Sequence, residues 1–417
     1  MKGLIQFLRE FRANSGLWIM MATVMNKGIL LLIKVFVIVY ISKEEYGQVA
    51  YSIAMLWMFS PFVGFGAPSG LLRYGSVAHT DADRNRIADY AFSAGLLHTL
   101  LLMILIWPAL GFLSKGDPVI YGFMIILLFR LLTTFFKMHQ SAEMRVKMLN
   151  KHFGLYDMAN SILLLVIAFA LTYFFQATGY LIALVIVPIL TFVIYGMLYG
   201  FPKWNLRPKL SFSKKEFWRY AFLTSSSTIA SQLIFFLDIY LIGNLINNEA
   251  VAEYNVASLI PVNILLLPGI FIATDFTRIA ANYRNREFLT SYYKNYLLIF
   301  LGISAVGLLI SYFFGEWIFG FLGKEYQPFN LFMVLMGGVL IAIMFRVPLG
   351  NIISALGRAR FNMISSGITL VVSVILNLWW IPLFGLMGAA YATAGALVFS
   401  SILHLAYFLW YLKYACK

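Results

Sequence analysis

The sequence predicts an all-α integral membrane protein whose twelve transmembrane helices form two six-helix bundles related as a parallel repeat. Three observations support this fold class. Hydrophobic residues make up 61% of the 417 residues and charged residues 12%, about half the charged fraction of a water-soluble protein of this length. Apolar runs of about 20 residues, each long enough to cross a bilayer, recur along the chain. The second half of the chain also repeats landmarks of the first.

Clusters of charged residues, together with Gly and Pro, separate the predicted helices. The first apolar run is too long for a signal-peptide core and is not followed by a small-residue cleavage site, so we expect it to be retained as a helix. The predicted ranges are 17–41, 46–72, 88–113, 118–136, 154–176, 179–200, 220–245, 250–276, 295–314, 328–350, 361–382 and 386–412.

The basic residues predict the orientation of the chain. Of 31 Lys and Arg residues, the predicted outer loops contain Lys43, Lys115 and Lys324. This asymmetry predicts that both termini are cytoplasmic. It also accounts for the net charge of +14, because the basic residues are spread over all inner loops. We therefore expect no nucleic-acid partner. The single cysteine, Cys416, excludes an intrachain disulfide.

Similar sequences recur at a nearly constant offset. The stretch EEYGQVAYS aligns with VAEYNVAS, so that Tyr46 matches Tyr254, and Gly179 matches Gly385. Six helices in each half, an even number, make the repeat parallel. We therefore predict two lobes, 1–205 and 206–417, with a substrate site between them, as in secondary transporters. A duplicated protein that transports nothing is the alternative.

Lysines occur within the first predicted helix. Lys27 lies about ten residues, or about 15 Å, into this helix, and Lys34 follows two turns later on the same face. An uncompensated lysine near the bilayer centre costs at least a few kcal/mol, so this face should contact a hydrated cavity or a partner. Two alternatives stay open: Lys34 could extend to the outer interface, and Lys27 could form an ion pair with Asp238.

Further charges lie deep in other predicted helices. The cations outnumber the single deep carboxylate, which favours an anionic ligand, and phosphate or pyrophosphate suits Lys and Arg. Asp157, Asp275 and His98 are expected to be structural. The predicted substrate-binding residues are Lys27, Lys34, Arg130, Lys137 and Arg346, and the candidate ion-coupling residue is Asp238.

Several motifs carry a family resemblance. They are SKEEYGQVAYS (42–52), DIYLIGNLINNEAVAEYNVASLI (238–260), GFLGKEYQP (320–328), ALGRARFNM (355–363) and IPLFGLMGAAYAT (381–393). These stretches resemble Wzx-type O-antigen and capsule flippases of the multidrug/oligosaccharidyl-lipid/polysaccharide (MOP) exporter superfamily. The resemblance implies a MOP/MATE-like fold and a location in the bacterial cytoplasmic membrane. It also implies transfer of an undecaprenyl-pyrophosphate-linked oligosaccharide from the inner to the outer leaflet. A polymerase of the same assembly pathway would be a candidate partner.

Other functions are weighed against this expectation. A drug or small-solute exporter of the same fold is the alternative within transport. Multidrug exporters usually carry an ion-binding acid within the N-terminal bundle, whereas here Lys27 and Lys34 dominate the first helix. A membrane enzyme such as a polymerase, ligase or acyltransferase is the alternative from another class. Short outer loops disfavour a polymerase or ligase, and His98 alone is a weak acyltransferase signal. We therefore expect no enzymatic activity and no cofactor. A proton or sodium gradient is left open as the energy source.

Overall fold

The computed structural model describes the backbone of residues 16–210, 212–265, 268, 279, 282–322, 325–326 and 328–414. The side chains of residues 16–24, 150–151, 226–232, 234–235 and 359 lie outside this description. Within these ranges the chain forms helices joined by turns and short loops, and no strand is present among the described residues.

Each of the twelve predicted ranges overlaps a helix. Two 3-10 segments, Ser60–Gly66 and Trp107–Ala109, interrupt the helical pattern. The α-helices are α1 (Gly16–Tyr40), α2 (Lys43–Trp57), α3 (Ala67–Ser76), α4 (Asp81–Ile106), α5 (Leu110–Leu113), α6 (Pro118–Val146), α7 (Asn150–Tyr199), α8 (Lys214–Leu245), α9 (Asn248–Ile264), α10 (Arg286–Gly320), α11 (Phe329–Met344), α12 (Arg346–Ala355), α13 (Ala359–Phe384) and α14 (Leu386–Tyr414).

Polar side chains cap the helices that follow short turns. Ser42 before α2, Thr80 before α4 and Asp117 before α6 each accept a hydrogen bond from a backbone N–H of the first turn. Asn247 and Asn285 do the same before α9 and α10. Such caps satisfy N–H groups that have no partner within the helix. The polar clusters between the apolar runs therefore also define where helices begin.

The segment Ser60–Gly66 divides the predicted helix 46–72. Gly64, Phe65 and Gly66 have φ values of 62°, 51° and 79°, which a continuous helix does not allow. A Cβ on Gly64 would lie 2.7 Å from the ring of Phe135, and one on Gly66 would lie 2.3 Å from the carbonyl oxygen of Ala221. Glycine is required at both positions by conformation and by space.

Two sharp turns share one backbone geometry. In α7 the helical run is broken at Gln176, with φ 50° and ψ −132°, and the chain turns at Gly385 with φ 59° and ψ −138°. A Cβ on Gly179 or on Gly388 would lie 1.9 or 2.1 Å from a carbonyl oxygen of the preceding helix. By this local geometry Gly179 resembles Gly388 and Gln176 resembles Gly385, whereas the sequence comparison matched Gly179 with Gly385; the repeat itself stays a prediction.

The break at Gln176 also makes α7 two helices, as predicted from the ranges 154–176 and 179–200. The two halves pack against each other, since Thr191 donates a hydrogen bond to Asn160 over 3.3 Å and the Tyr156 and Tyr195 rings meet edge to face. Eight helical stretches of the described residues are long and apolar enough to span a membrane. The protein is therefore a multi-pass membrane protein.

The chain divides into two compact units, Met1–Ile229 (unit 1) and Ala230–Lys417 (unit 2). This division falls within α8, further along the chain than the predicted boundary at 205/206. The first turns of α8 belong to unit 1 because Phe217 is fully buried against Ala67, Leu71 and Tyr90. Trp218 also donates a hydrogen bond to the Tyr90 hydroxyl over 2.8 Å.

Candidate functional site

Three of the predicted substrate-binding cations lie together in unit 1. Lys27 and Lys34 have exposed side chains on α1, and Arg130 on α6 is half-buried. Arg130 and Lys27 both act electrostatically on Lys34. No ion pair in the described part of the chain joins any of the three to a carboxylate. We call Lys27, Lys34 and Arg130 the cation cluster.

Aromatic side chains hold Arg130 in position. Its guanidinium carbon lies 4.8 Å from the centre of the Trp57 ring, a distance at which a cation is attracted to the face of an aromatic ring. Tyr180 on α7 is also a neighbour of Arg130. Sequence reasoning missed Trp57 and Tyr180, because both look like ordinary apolar-helix residues until their helices are packed.

Lys137 is placed differently from the other predicted cations. Its ammonium group lies 2.8 Å from the carboxylate of Asp157, and both side chains are about one-third exposed or less. The second oxygen of Asp157 accepts a hydrogen bond from Asn26, and Ser161 donates to Asn26 in turn. Lys137 is therefore neutralised within a network joining α1, α6 and α7. This arrangement agrees with the structural role expected for Asp157.

Asp238 on α8 is fully buried in unit 2 and accepts hydrogen bonds from neutral groups. One oxygen accepts from Asn377 on α13 over 2.8 Å. The other accepts from Tyr254 on α9 over 2.9 Å and from Thr393 on α14 over 2.6 Å. The amide oxygen of Asn377 is itself buried without a hydrogen-bond partner. Asp238 therefore sits among polar atoms contributed by three other helices.

The partners of Asp238 were not predicted from the sequence. A weak signal existed, because Asn377 and Thr393 are isolated polar residues in strongly apolar helices. They lie 139 and 155 residues from Asp238, however, and only packing brings them together. The predicted alternative of a Lys27–Asp238 ion pair stays a prediction, although both carboxylate oxygens already have partners in unit 2.

Arg346 begins α12 immediately after a helix break at Phe345, where φ is −120° and ψ is −60°. Arg346 is half-buried and interacts electrostatically with His404 on α14, whose Nδ1 lies 2.7 Å from the carbonyl oxygen of Ser400. Because a carbonyl oxygen can only accept a hydrogen bond, Nδ1 of His404 carries a proton. Unit 2 thus holds one of the predicted substrate-binding cations.

The remaining candidate residues fit structural roles or lie outside the description. His98 bonds through Nδ1 to the carbonyl oxygen of Ala94 over 2.7 Å and packs 4.5 Å from the ring of Trp218. Asp275 lies outside the described residues. No group of three or more His, Cys, Asp or Glu side chains among the described residues could hold a metal ion.

The protein-family comparison decides the assignment of the chain. The model described as "Polysaccharide biosynthesis protein" matches residues 13–278, which is more than half of the sequence. The chain belongs to this polysaccharide biosynthesis protein family. A Shigella flexneri protein named "Putative O-antigen transporter" is 25% identical over 198 residues. This match covers 46% of the chain and 46% of that relative, so it spans about half the relative's length.

Solved structures show the fold of this family member. The lipid II flippase MurJ in an inward closed conformation has a TM-score of 0.74 at 17% identity, covering 94% of this chain and 87% of that chain. An inward-facing MATE family transporter of the MOP superfamily has a TM-score of 0.67 at 17% identity, covering 92% and 98%. A MOP superfamily transporter from Pyrococcus furiosus has a TM-score of 0.67 at 16% identity, covering 94% and 95%. The protein therefore has the MOP transporter fold.

Proposed function

We propose that this protein is a flippase that moves an undecaprenyl-pyrophosphate-linked oligosaccharide, an O-antigen or capsule repeat unit, from the inner to the outer leaflet by alternating access. The proposal includes a twelve-helix architecture of two parallel six-helix repeats. The observation that carries it is the cation cluster of Lys27, Lys34 and Arg130, whose like charges have no acidic partner among the described residues.

A cluster of this kind favours an anion for a physical reason. Like charges held close together raise the free energy of the empty protein, and desolvation adds to this cost. A pyrophosphate would lower that free energy, since it accepts hydrogen bonds from a guanidinium fork and from ammonium groups. Arg346 is proposed as a further contact from unit 2. Lys137 would contribute least, because Asp157 already neutralises it.

The comparisons support this class of substrate. A curated relative carries the name of an O-antigen transporter, and a solved structure of the same fold is a lipid II flippase. A cationic drug, the substrate of the alternative exporter, would be repelled by the cation cluster. An enzyme of polysaccharide assembly is disfavoured because the relatives are named as transporters or flippases rather than enzymes.

Asp238 is the proposed site of energy coupling to a proton or sodium gradient. Its carboxylate lies near the unpaired amide oxygen of Asn377 and the hydroxyls of Tyr254 and Thr393. A proton would neutralise the buried charge, and a hard cation would find oxygen ligands there. The two ions differ in one test. If sodium is used, transport depends on sodium at constant pH.

The proposed location is the bacterial cytoplasmic membrane with both termini in the cytoplasm. Cysteines introduced at the exposed Lys115 and at Asn248 should then react with an impermeant reagent from outside, and one at Lys209 should not. A polymerase of the same pathway is a proposed partner. Its association would be tested by crosslinking in the native membrane.

The deciding experiment measures the substrate lipid directly. Deletion of the gene should cause the lipid-linked oligosaccharide to accumulate on the cytoplasmic side. In proteoliposomes, the purified protein should transfer that lipid between leaflets, and the Lys27→Ala variant should not. Lys294→Ala removes an exposed lysine of α10 and serves as the matched control. Transfer of a cationic dye in place of the lipid would contradict the proposal.

A further inference from the structure

The segment 201–219 comprises the connection after α7 and the first six residues of α8, and it is strongly basic. It contains one acidic residue, Glu216, and six exposed cations. These cations are Lys203, Arg207, Lys209, Lys214, Lys215 and Arg219. We call this stretch the basic segment; residue 211 within it lies outside the described residues. Because the segment begins directly after the membrane-spanning stretch that ends at Tyr199, it lies at the bilayer surface.

The backbone of the basic segment is fixed to unit 1. The N–H of Lys203 donates to the carboxylate of Asp89, and the N–H of Asn205 donates to the hydroxyl of Ser93, each over 2.8 Å. The side chains of Leu210 and Phe212 pack against the buried core that surrounds Phe217. Its exposed side chains are therefore presented by a well-anchored backbone.

Aromatic and aliphatic side chains alternate with the cations. Trp204 is 57% exposed, although the backbone N–H groups on both sides of it are hydrogen-bonded, and Phe201 is 51% exposed. Leu206 is also exposed. Trp and Phe rings beside Lys and Arg are typical of segments that lie in the interface between lipid headgroups and water.

Four of the cations form no ion pair with the described residues. No ion pair in the described part of the chain joins Arg207, Lys209, Lys215 or Arg219 to a carboxylate. Lys214 differs, since its ammonium group donates to the carbonyl oxygen of Leu206 over 2.9 Å. These unpaired cations complement an anionic lipid headgroup, and the exposed rings complement the acyl chains below it.

We propose that the basic segment is a binding surface for anionic phospholipids of the bilayer. Arg207, Lys209, Lys215 and Arg219 contact the headgroup phosphates, and Trp204 inserts at the level of the headgroups. Each basic residue near an anionic surface strengthens attraction by about 1 kcal/mol, or about fivefold in affinity. This surface does not depend on what the protein transports. It would anchor unit 1 to the membrane surface beside the start of α8.

The test uses full-length protein in a neutral detergent, titrated with dansyl-labelled phosphatidylglycerol or phosphatidylcholine, with energy transfer from tryptophan as the readout. The variant carrying Arg207→Gln, Lys209→Gln, Lys215→Gln and Arg219→Gln should bind phosphatidylglycerol at least about tenfold more weakly. Its binding of phosphatidylcholine should not change. The matched control neutralises four exposed arginines of unit 2 and should retain wild-type affinity. These residues are Arg284, Arg286, Arg358 and Arg360.

A second variant tests the ring. Trp204→Leu should reduce energy transfer at saturation more than Trp379→Leu, which removes another exposed tryptophan. Wild-type affinity for phosphatidylglycerol in the variant with four substitutions would overturn the proposal. An equal loss of that affinity in the unit 2 control would also overturn it. A competition experiment could also overturn the proposal. If undecaprenyl pyrophosphate displaced the labelled phosphatidylglycerol at a lower concentration than unlabelled phosphatidylglycerol does, the basic segment would be a contact for the pyrophosphate lipid.

Discussion

In unit 1, Lys27 and Lys34 are exposed and act on each other without an acidic partner among the described residues, whereas in unit 2 Asp238 is fully buried and accepts three hydrogen bonds. Both arrangements place charge within apolar helices. A buried charge is tolerated when neutral donors solvate it, and a group of like charges is tolerated when an anion arrives. The buried Asp238 therefore resembles a permanent part of the fold. The clustered lysines would be stabilised by an anionic ligand, and this difference favours the proposal that unit 1 binds the substrate.

The largest expected effect comes from the cation cluster. Lys27→Ala should lower polysaccharide export at least about thirtyfold, because with the pyrophosphate bound Lys27 would be one partner of a buried charge pair, and truncating such a partner costs about 2–5 kcal/mol. The amount of folded protein should be nearly normal, and Lys27→Arg should retain part of the export. Export and protein level are measured together, with Lys294→Ala as the control. Equal loss of folded protein and export would mean that Lys27 supports the fold.

Asp238 should show the opposite balance of effects. Asp238→Ala removes the acceptor of three buried donors, so the free energy of unfolding should fall by about 2–4 kcal/mol. Asp238→Asn keeps the shape of the side chain, so its free energy of unfolding should fall less. Transport by this variant should no longer respond to the ion gradient. Unfolding in detergent and gradient-driven transport in proteoliposomes measure the two effects.

Thr369→Ala is the control for this comparison, because the buried Thr369 hydroxyl donates within its own helix to Ser365. A gradient response that survives in Asp238→Asn would remove the coupling role from unit 2.

Lys137 provides a paired cation against which the unpaired ones can be compared. Because Asp157 neutralises it in a partly exposed position, Lys137→Ala should reduce export no more than about threefold. A double-mutant cycle with Asp157→Ala should give a coupling energy of about 0.5–1 kcal/mol. If Lys137→Ala abolished export like Lys27→Ala, pairing would not distinguish the two groups of cations.

The smallest effect concerns the two units together. The oxygens of Asp238 already have partners in unit 2, so Lys27→Ala and Asp238→Ala should be additive in stability within about 0.5 kcal/mol. The double variant should be inactive because the pyrophosphate has lost a cation. Recovered export in that variant would instead establish the Lys27–Asp238 ion pair.

Hydropathy, together with the charged, Gly and Pro residues between apolar runs, located the helices well because each spanning segment must be apolar by itself, whatever it packs against. Helix ends were less accurate: the predicted helix 118–136 continues to Val146, because its last turns are polar yet helical. Charged residues could be picked out singly, but their surroundings could not. The pairing of Lys137 with Asp157, and of Arg130 with Trp57, depends on how separate helices pack, which one sequence does not encode locally.

The matched turns at Gln176 and Gly385 have a practical consequence for anyone who purifies this protein. One copy has the residue that its backbone demands, whereas the other forces a glutamine into a conformation that side chains rarely adopt. Replacing Gln176 with glycine should raise the free energy of unfolding by about 1 kcal/mol after the greater freedom of the unfolded chain is allowed for. The turn at Gly385 thus shows which residue would stabilise the turn at Gln176.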